Sequence, residues 1–450
     1  MERLSSAATA VGDSESRPAS PSAPGGLTAT AKILRAHGIT DLTPGSFGMA
    51  RCDLVMLNDV SGAVALPAFA RTGAQTVFDP DRVALVADHF VPAKDVRSAS
   101  MARSLREFSA AHGISNYWEV GATQDAGIEH TLLAEQGLVR PGDLICGGDS
   151  HTCTYGAFGA LGLGVGSSDA ASAMALGELW VRVPEVIQAR YVGTPAQLCT
   201  GKDLILAFLA VVGVDGATYA SIEFEGAAVA ALDVDGRMAL CNMAVEAGAK
   251  TCFVTPDART LEFVASRSRG ESELTWVAAD PGAGYDRTVD VDVHGCGSLV
   301  ACPPSPGDVR PVAELAGATR VHQVYVGNCA NGTIGDLRQL CRVLEGRRVA
   351  SGTRLIVVPA TQRIYRQALA EGLVETILAA GGLMSPPTCG ACFGGHMGIL
   401  AEGETAVATT NRNFTGRMGH PRSQVFLGSA YVAGAAAVTG ELVDPAELLA

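Results

Sequence analysis

Residues Pro141–Gly166 read PGDLICGGDSHTCTYGAFGALGLGVG, and no other stretch limits the fold of this chain as tightly. The apolar run Leu144–Cys146 has the composition of a buried strand and leads straight into Gly147-Gly148-Asp149-Ser150-His151. Glycine at this density lets a backbone approach a ligand, or another backbone, with no side chain between them. An acid and an imidazole just past a strand end lie where open α/β sheets present their chemistry. Cys52–Leu57 and Arg82–Ala87 also read as short buried strands, and the second leads into Asp88-His89. A phosphate loop is disfavoured, because no GxxxxGK[ST] is present.

Elsewhere the pattern alternates strands with helices. Helical spacing is expected over Leu27–His37, Ser167–Trp180 and Lys202–Val214, with a strand near Ile222–Phe224. Ala278–Asp292 reads as a crossing between two units. Beyond Gly295, strands Val324–Val326 and Arg354–Val358 alternate with helices Ile334–Leu344 and Ile364–Glu371. The class is α/β with several layered subdomains. The expected division is a disordered tail over residues 1–26, rich in Ser, Ala, Pro and Gly, then units at 27–185, 186–294 and 295–450.

Composition narrows the partners. With 48% hydrophobic and 18% charged residues the chain can bury a large core. A net charge of −13 repels phosphate backbones and anionic lipid, so neither nucleic acid nor membrane is an expected partner. An anionic substrate would have to be held by a few local arginines. The longest apolar run, Leu204–Val214, falls far short of the ~18 residues of a membrane span. The tail carries Glu2, Asp13 and Glu15 and has no apolar signal core, so it does not read as a secretory signal. The 12 cysteines of the whole chain are not spaced like a disulfide scaffold, and reduced thiols in a cytoplasm are expected.

Cys329 follows a strand, and TCGAC supplies Cys389 and Cys392 further on. A CxxC alone could be half a zinc site, a redox dithiol or simple packing. A lone cysteine followed by a CxxC supplies three thiolates, which on a cubane cluster would leave one iron without a protein ligand. Four segments, PGDLICGGDSHTCTYGAFGALGLGVGSSD, VYVGNCANGTIGDLR, TCGACFGGHMGIL and TNRNFTGRMGHP, occur in that order. In them the chain resembles the aconitase superfamily, and within it the compact, archaeal-type large subunits of 3-isopropylmalate dehydratase and homoaconitase.

The resemblance implies three layered α/β/α subdomains around one [4Fe-4S] cluster, with the swivelling fourth domain absent and supplied by a separate small subunit, as a heterodimer or heterotetramer. It implies a hydro-lyase that isomerises a small hydroxy-carboxylic acid by dehydration and rehydration. The expected type is 3-isopropylmalate dehydratase, and the alternatives are homoaconitase or another substituted-malate dehydratase. A regulatory RNA-binding aconitase-like protein is the non-enzyme reading, disfavoured by the charge. Carried over by position, Cys329, Cys389 and Cys392 would ligate the cluster, with Asn331 and Asn411 beside it. Asp88–His89, Asp149–His130 and Glu246–His151 would be the acid–imidazole couples. Asn58, Asn242, Arg412 and Arg417 would bind substrate, Asn58 where aconitases carry a glutamine. The family's Ser-Cys-Thr-Asn is here Asn328-Cys329-Ala330-Asn331, which changes the hydrogen bonds open to cluster sulfurs or substrate.

Overall fold

The computed structural model describes residues 25–268, 276–317 and 319–449. The expected tail lies outside the described residues over 1–24; within it, Gly26 already bridges in parallel to Ala283. The first sheet has five parallel strands in the order Tyr117–Glu119, Val83–Ala87, Leu54–Asn58, Leu144–Gly147 and Leu161–Gly164. Val83–Ala87 and Leu54–Asn58 are buried at every position. This is why they read as unbroken apolar runs rather than alternating ones.

The second sheet runs Thr251–Val254, Ser221–Glu225, Val186–Val192, Arg287–Asp292, all parallel. Its last strand corrects one expectation, since the crossing assigned to Ala278–Asp292 ends in a strand registered on Val186–Val192. The third sheet has seven strands: Val309–Pro311, Leu299–Ala301, Gln424–Leu427, Thr405–Ala408, Gln323–Val326, Arg354–Val357 and Leu383–Met384. From Gln424–Leu427 to Leu383–Met384 the pairing is parallel, and the opposite edge is antiparallel.

The helix expected over Ser167–Trp180 stops at Leu176. Gly177 adopts φ 71° there, a left-handed cap that a side chain disfavours. The chain then forms the strand Glu178–Arg182, antiparallel to Phe47–Arg51. A continuous core joins the three large sheets, with Phe158, Phe208 and Tyr325 fully buried within it.

Two close approaches aim the strand ends. A Cβ on Gly162 would stand 1.9 Å from the Thr152 carbonyl oxygen, so only glycine lets the short helix Ser150–Phe158 lie on this strand. Gly327, at φ 111°, brings the backbone where a Cβ would meet the Val358 oxygen at 1.8 Å, and Asn328-Cys329 follow directly. The carboxyl ends of strands from the first and third sheets then meet. The link is a backbone hydrogen bond from Cys389 N–H to the Asp88 carbonyl, 2.8 Å long.

Candidate active site

Where these strand ends meet there is a cavity of about 220 Å³. His89, His130, Asp149, His151, Arg412, Arg417 and the three cysteines Cys329, Cys389 and Cys392 line it, with Val60, Ile128 and Phe393 as apolar wall. Residues from seven separate segments of the sequence thus share one hollow. Each segment enters just past a strand or at the start of a helix, where backbone direction is set by the core behind it.

Asp88 and His89 follow Val83–Ala87, and His89 Nδ1 lies 2.6 Å from Asp88 Oδ1. Asp59, the first residue of helix Asp59–Thr72, holds that turn: its carboxylate accepts the backbone N–H groups of Asp88, His89 and Phe90. Burial would lower the pKa of His89, but the Asp88 charge and hydrogen bond outweigh it and hold the imidazole well above its usual range. The pair thus favours a proton on the His89 ring.

Asp149 stands between two imidazoles. His130 Nε2 is 3.1 Å from Asp149 Oδ1, and the His151 backbone N–H donates to the same oxygen at 2.7 Å. Burial alone would raise Asp149, yet the hydrogen bonds from His130 and His151 bring it well below the usual carboxylate value. His151 Nε2 meets Glu246 Oε1 at 3.0 Å, and Arg412 Nε donates to that same Glu246 oxygen at 2.7 Å. Burial opposes charge on His151, but the hydrogen bonds to Asp149 and Glu246 prevail and raise it to about 9.

The three thiols line the same cavity. Asn242 and Asn411 donate amide N–H bonds to Cys329 Sγ at 3.3 and 3.2 Å. Asn411 Oδ1 faces Cys392 Sγ at 3.1 Å, and Lys202 and Arg417 add positive charge nearby. Contact with Cys389, aided by the charges of Arg417 and His151 and opposed by burial, brings the Cys392 thiol down to about 5. Three convergent thiols, with amide donors aimed at Cys329 Sγ and positive charge beside Cys392, make a donor set that fits a three-cysteine [4Fe-4S] seat.

Several expected residues stand elsewhere than the cavity wall. Asn58 caps helix Asp59–Thr72 through Val60 and Ser61, and its amide donates to Glu129 Oε1 at 3.0 Å. Asn242, Asp88 and Glu246 lie behind the wall, touching the thiol, His89 and His151 respectively. Asn331 turns away: its amide donates to Asp336 at 3.0 Å, lining a different hollow. Asn328 is the residue that approaches the thiol site, with Nδ2 at 3.2 Å from Asn411 Oδ1 and 3.9 Å from Cys392 Sγ. An asparagine amide thus stands where the family pattern has a hydroxyl.

Some contributors had escaped the sequence reading. Lys202, fully buried, donates to the Thr409 and Thr410 carbonyls and so braces the turn leading to Asn411-Arg412. A lone lysine opening an apolar helix was its visible signal. His396 lies against the His89 carbonyl, 3.1 Å away. Glu129 lines the cavity beside His130, and its place next to that histidine was the one hint available.

The sequence matches the model of the aconitase family (aconitate hydratase) over residues 31–320 and 316–440. The 3-isopropylmalate dehydratase large subunit 2 of Rubrobacter xylanophilus is 50% identical over 422 residues, covering 94% of this chain and 98% of that one. The 3-isopropylmalate dehydratase large subunit of Nitratidesulfovibrio vulgaris is also 50% identical over 422 residues, 94% of this chain and 99% of its own. That of Heliobacterium modesticaldum is 49% identical over 424 residues, 94% of this chain and all (100%) of its own. The holo-form crystal structure of Thermococcus kodakaraensis aconitase X shares 14% identity and a TM-score of 0.47 over 85% of this chain and 89% of its own, too distant to argue from. With the family model matched along most of its length and half its residues shared with such relatives, the chain belongs to the aconitase family.

Proposed function

We propose that this chain is the cluster-bearing large subunit of a hydro-lyase of the 3-isopropylmalate dehydratase type, isomerising 2-isopropylmalate to 3-isopropylmalate through dehydration and rehydration. The observation that carries the reading is the convergence of three acid–imidazole couples, two arginines and three thiols on one cavity. A [4Fe-4S] cluster held by Cys329, Cys389 and Cys392 supplies a Lewis acid for the substrate hydroxyl.

The chain's own residues supply the charge stabilisation and the proton for the leaving group. In this reading the base that takes the proton from carbon comes from the small subunit. Loss of water from a hydroxy-acid takes a proton from the carbon beside a carboxylate and hydroxide from its neighbour. Charge therefore grows on that carboxylate, and the guanidinium groups of Arg412 and Arg417 face it across the cavity. Hydroxide leaves readily only as water, and the imidazoliums of His89 and His151 are the proton donors at hand. Asp88 and Glu246 hold those rings in orientation from behind.

A pH dependence follows from His151. Turnover is expected to fall as pH rises through about 9, where the ring loses its proton. Glu246→Gln removes one of the two carboxylates that raise it, so the alkaline limb of kcat should move to lower pH. A limb that stays in place would take His151 out of the acid role.

In this reading a small subunit, in a heterodimer or heterotetramer, closes the cavity, in keeping with relatives named as large subunits. The site of action is a reducing cytoplasm, in keeping with cysteines that are all free among the described residues. The test is to purify the chain anaerobically, reconstitute it, and follow unsaturated-acid absorbance with and without a candidate small subunit. Turnover of 2-isopropylmalate only on mixing supports the reading. Preference for homocitrate or a smaller substituted malate would reassign the substrate, and full turnover by this chain alone would remove the subunit from it.

A further inference from the structure

One buried acid at this site belongs to none of the acid–imidazole couples. Glu129 is 1% exposed, its Oε1 accepts the Asn58 amide at 3.0 Å, and its Oε2 has no partner among the described residues. Its backbone is fixed on both sides: the N–H donates to Asp88 Oδ2 at 2.8 Å, and the carbonyl accepts the Tyr155 hydroxyl at 3.5 Å. Glu129 Oε1 stands 3.9 Å from His130 Nε2, the nitrogen that Asp149 Oδ1 meets at 3.1 Å. Oxygens of Glu129 and Asp149 and that nitrogen all lie within 4.8 Å of one another.

Two carboxyl groups this close in a buried space do not both ionise. The contacts decide which keeps the proton. Asp149 accepts from His130 and from the His151 backbone and lies beside the His151 imidazolium. Glu129 accepts only from a neutral amide. We propose that Glu129 is a positioning residue that stays an uncharged carboxylic acid, anchoring the turn between Asp88 and His130 while leaving Asp149 the anion.

The groups facing Glu129 agree. Asp88 and His89 come from the turn after Val83–Ala87, Asp149 and His151 from the turn after Leu144–Gly147, and His130 and Tyr155 from its own helix and the helix opposite. Burial first, then the charges of Asp88 and Asp149, push Glu129 well above the usual carboxyl range. An ionised Glu129 would add to the carboxylate charge of Asp59, Asp88, Asp149 and Glu246 in and behind the wall of a cavity that has to admit an anion. That last consequence rests on the proposed function; the protonation of Glu129 does not.

The test is infrared difference spectroscopy of the anaerobically reconstituted protein at neutral pH. Wild type minus Glu129→Gln should show the C=O stretch of a protonated carboxyl group. Other acids that burial pushes up, such as Glu135 and Asp143, occur in both proteins and cancel. Glu129→Met gives the same subtraction if the amide is not tolerated. As a second reading, KM for the hydroxy-acid should climb with alkaline pH several-fold more in wild type than in Glu129→Gln, while loss of charge on His89 and His151 affects both alike. A difference spectrum without the band, or parallel KM profiles, overturns the inference. A protein that shows the band yet turns over no hydroxy-acid would instead overturn the proposed function.

Discussion

Cys392→Ser is expected to abolish turnover and to remove the visible iron–sulfur absorbance, with iron and sulfide content falling together. Cys392 is 2% exposed, and its contact with Cys389 and the charges of Arg417 and His151 favour loss of its proton, as iron ligation requires. A serine hydroxyl of nearly the same size stays protonated at neutral pH and is a poor ligand for iron. Two thiolates cannot replace a three-cysteine seat. Loss of a Lewis acid worth several kcal/mol corresponds to roughly a thousandfold or more in rate. Because the substitution is close to isosteric and Cys392 sits in a turn, the far-ultraviolet circular dichroism should remain that of wild type. Full iron content in Cys392→Ser, or tightly bound zinc in the wild type, would overturn the ligand assignment.

The second large effect is expected at Arg412. Its Nε is committed to Glu246 at 2.7 Å, and the two terminal nitrogens remain for a substrate carboxylate. The side chain therefore performs two tasks at once, bracing the partner of His151 and presenting a fork. Arg412→Lys keeps the charge but offers a single ammonium that can serve only one of them. Losing one fork on charge that grows in the transition state costs ~2–4 kcal/mol, roughly 30- to 1,000-fold in kcat/KM. The measurement needs matched iron content in the two proteins. Near wild-type kcat/KM at equal iron would show that Arg412 only balances Glu246.

How far the site was legible depended on whether a residue acts through its own chemistry or through its neighbours. Asp88-His89, GGDSH, TCGAC and NRNFTGR carry acids, imidazoles, thiols and guanidinium groups just past apolar strands. An all-parallel buried sheet presents such groups at the carboxyl ends of its strands. Asn58 and Asn331 were placed by position in a pattern, and the structure engages both elsewhere. Asn58 caps a helix and Asn331 binds Asp336, because an amide takes whichever unpaired backbone or carboxylate group lies nearest. Lys202 reaches the site from a helix that had looked structural, while Asn328, singled out as a departure beside Cys329, meets the Asn411 amide.

The boundary errors have a related cause. Ser167–Trp180 is rich in small and apolar residues, and periodicity alone does not separate a buried helix from a helix followed by a strand. Gly177 ends the helix, and pairing with Phe47–Arg51, far away in sequence, makes the remainder a strand. The strand Arg287–Asp292 carries polar residues at several positions and becomes a strand through its register on Val186–Val192.

The sequence by itself determined the class of elements, the strand ends that carry chemistry and the kinds of groups they carry, since these follow from local apolar runs, glycine placement and side-chain type. Only the tertiary structure decided which acid serves which imidazole, that Cys389 is hung from the Asp88 carbonyl, and that Glu129 shares a buried space with Asp149. Those outcomes depend on distances between segments far apart in the chain. In a buried site such distances set protonation, because removal from water makes each charge answer to its nearest partner.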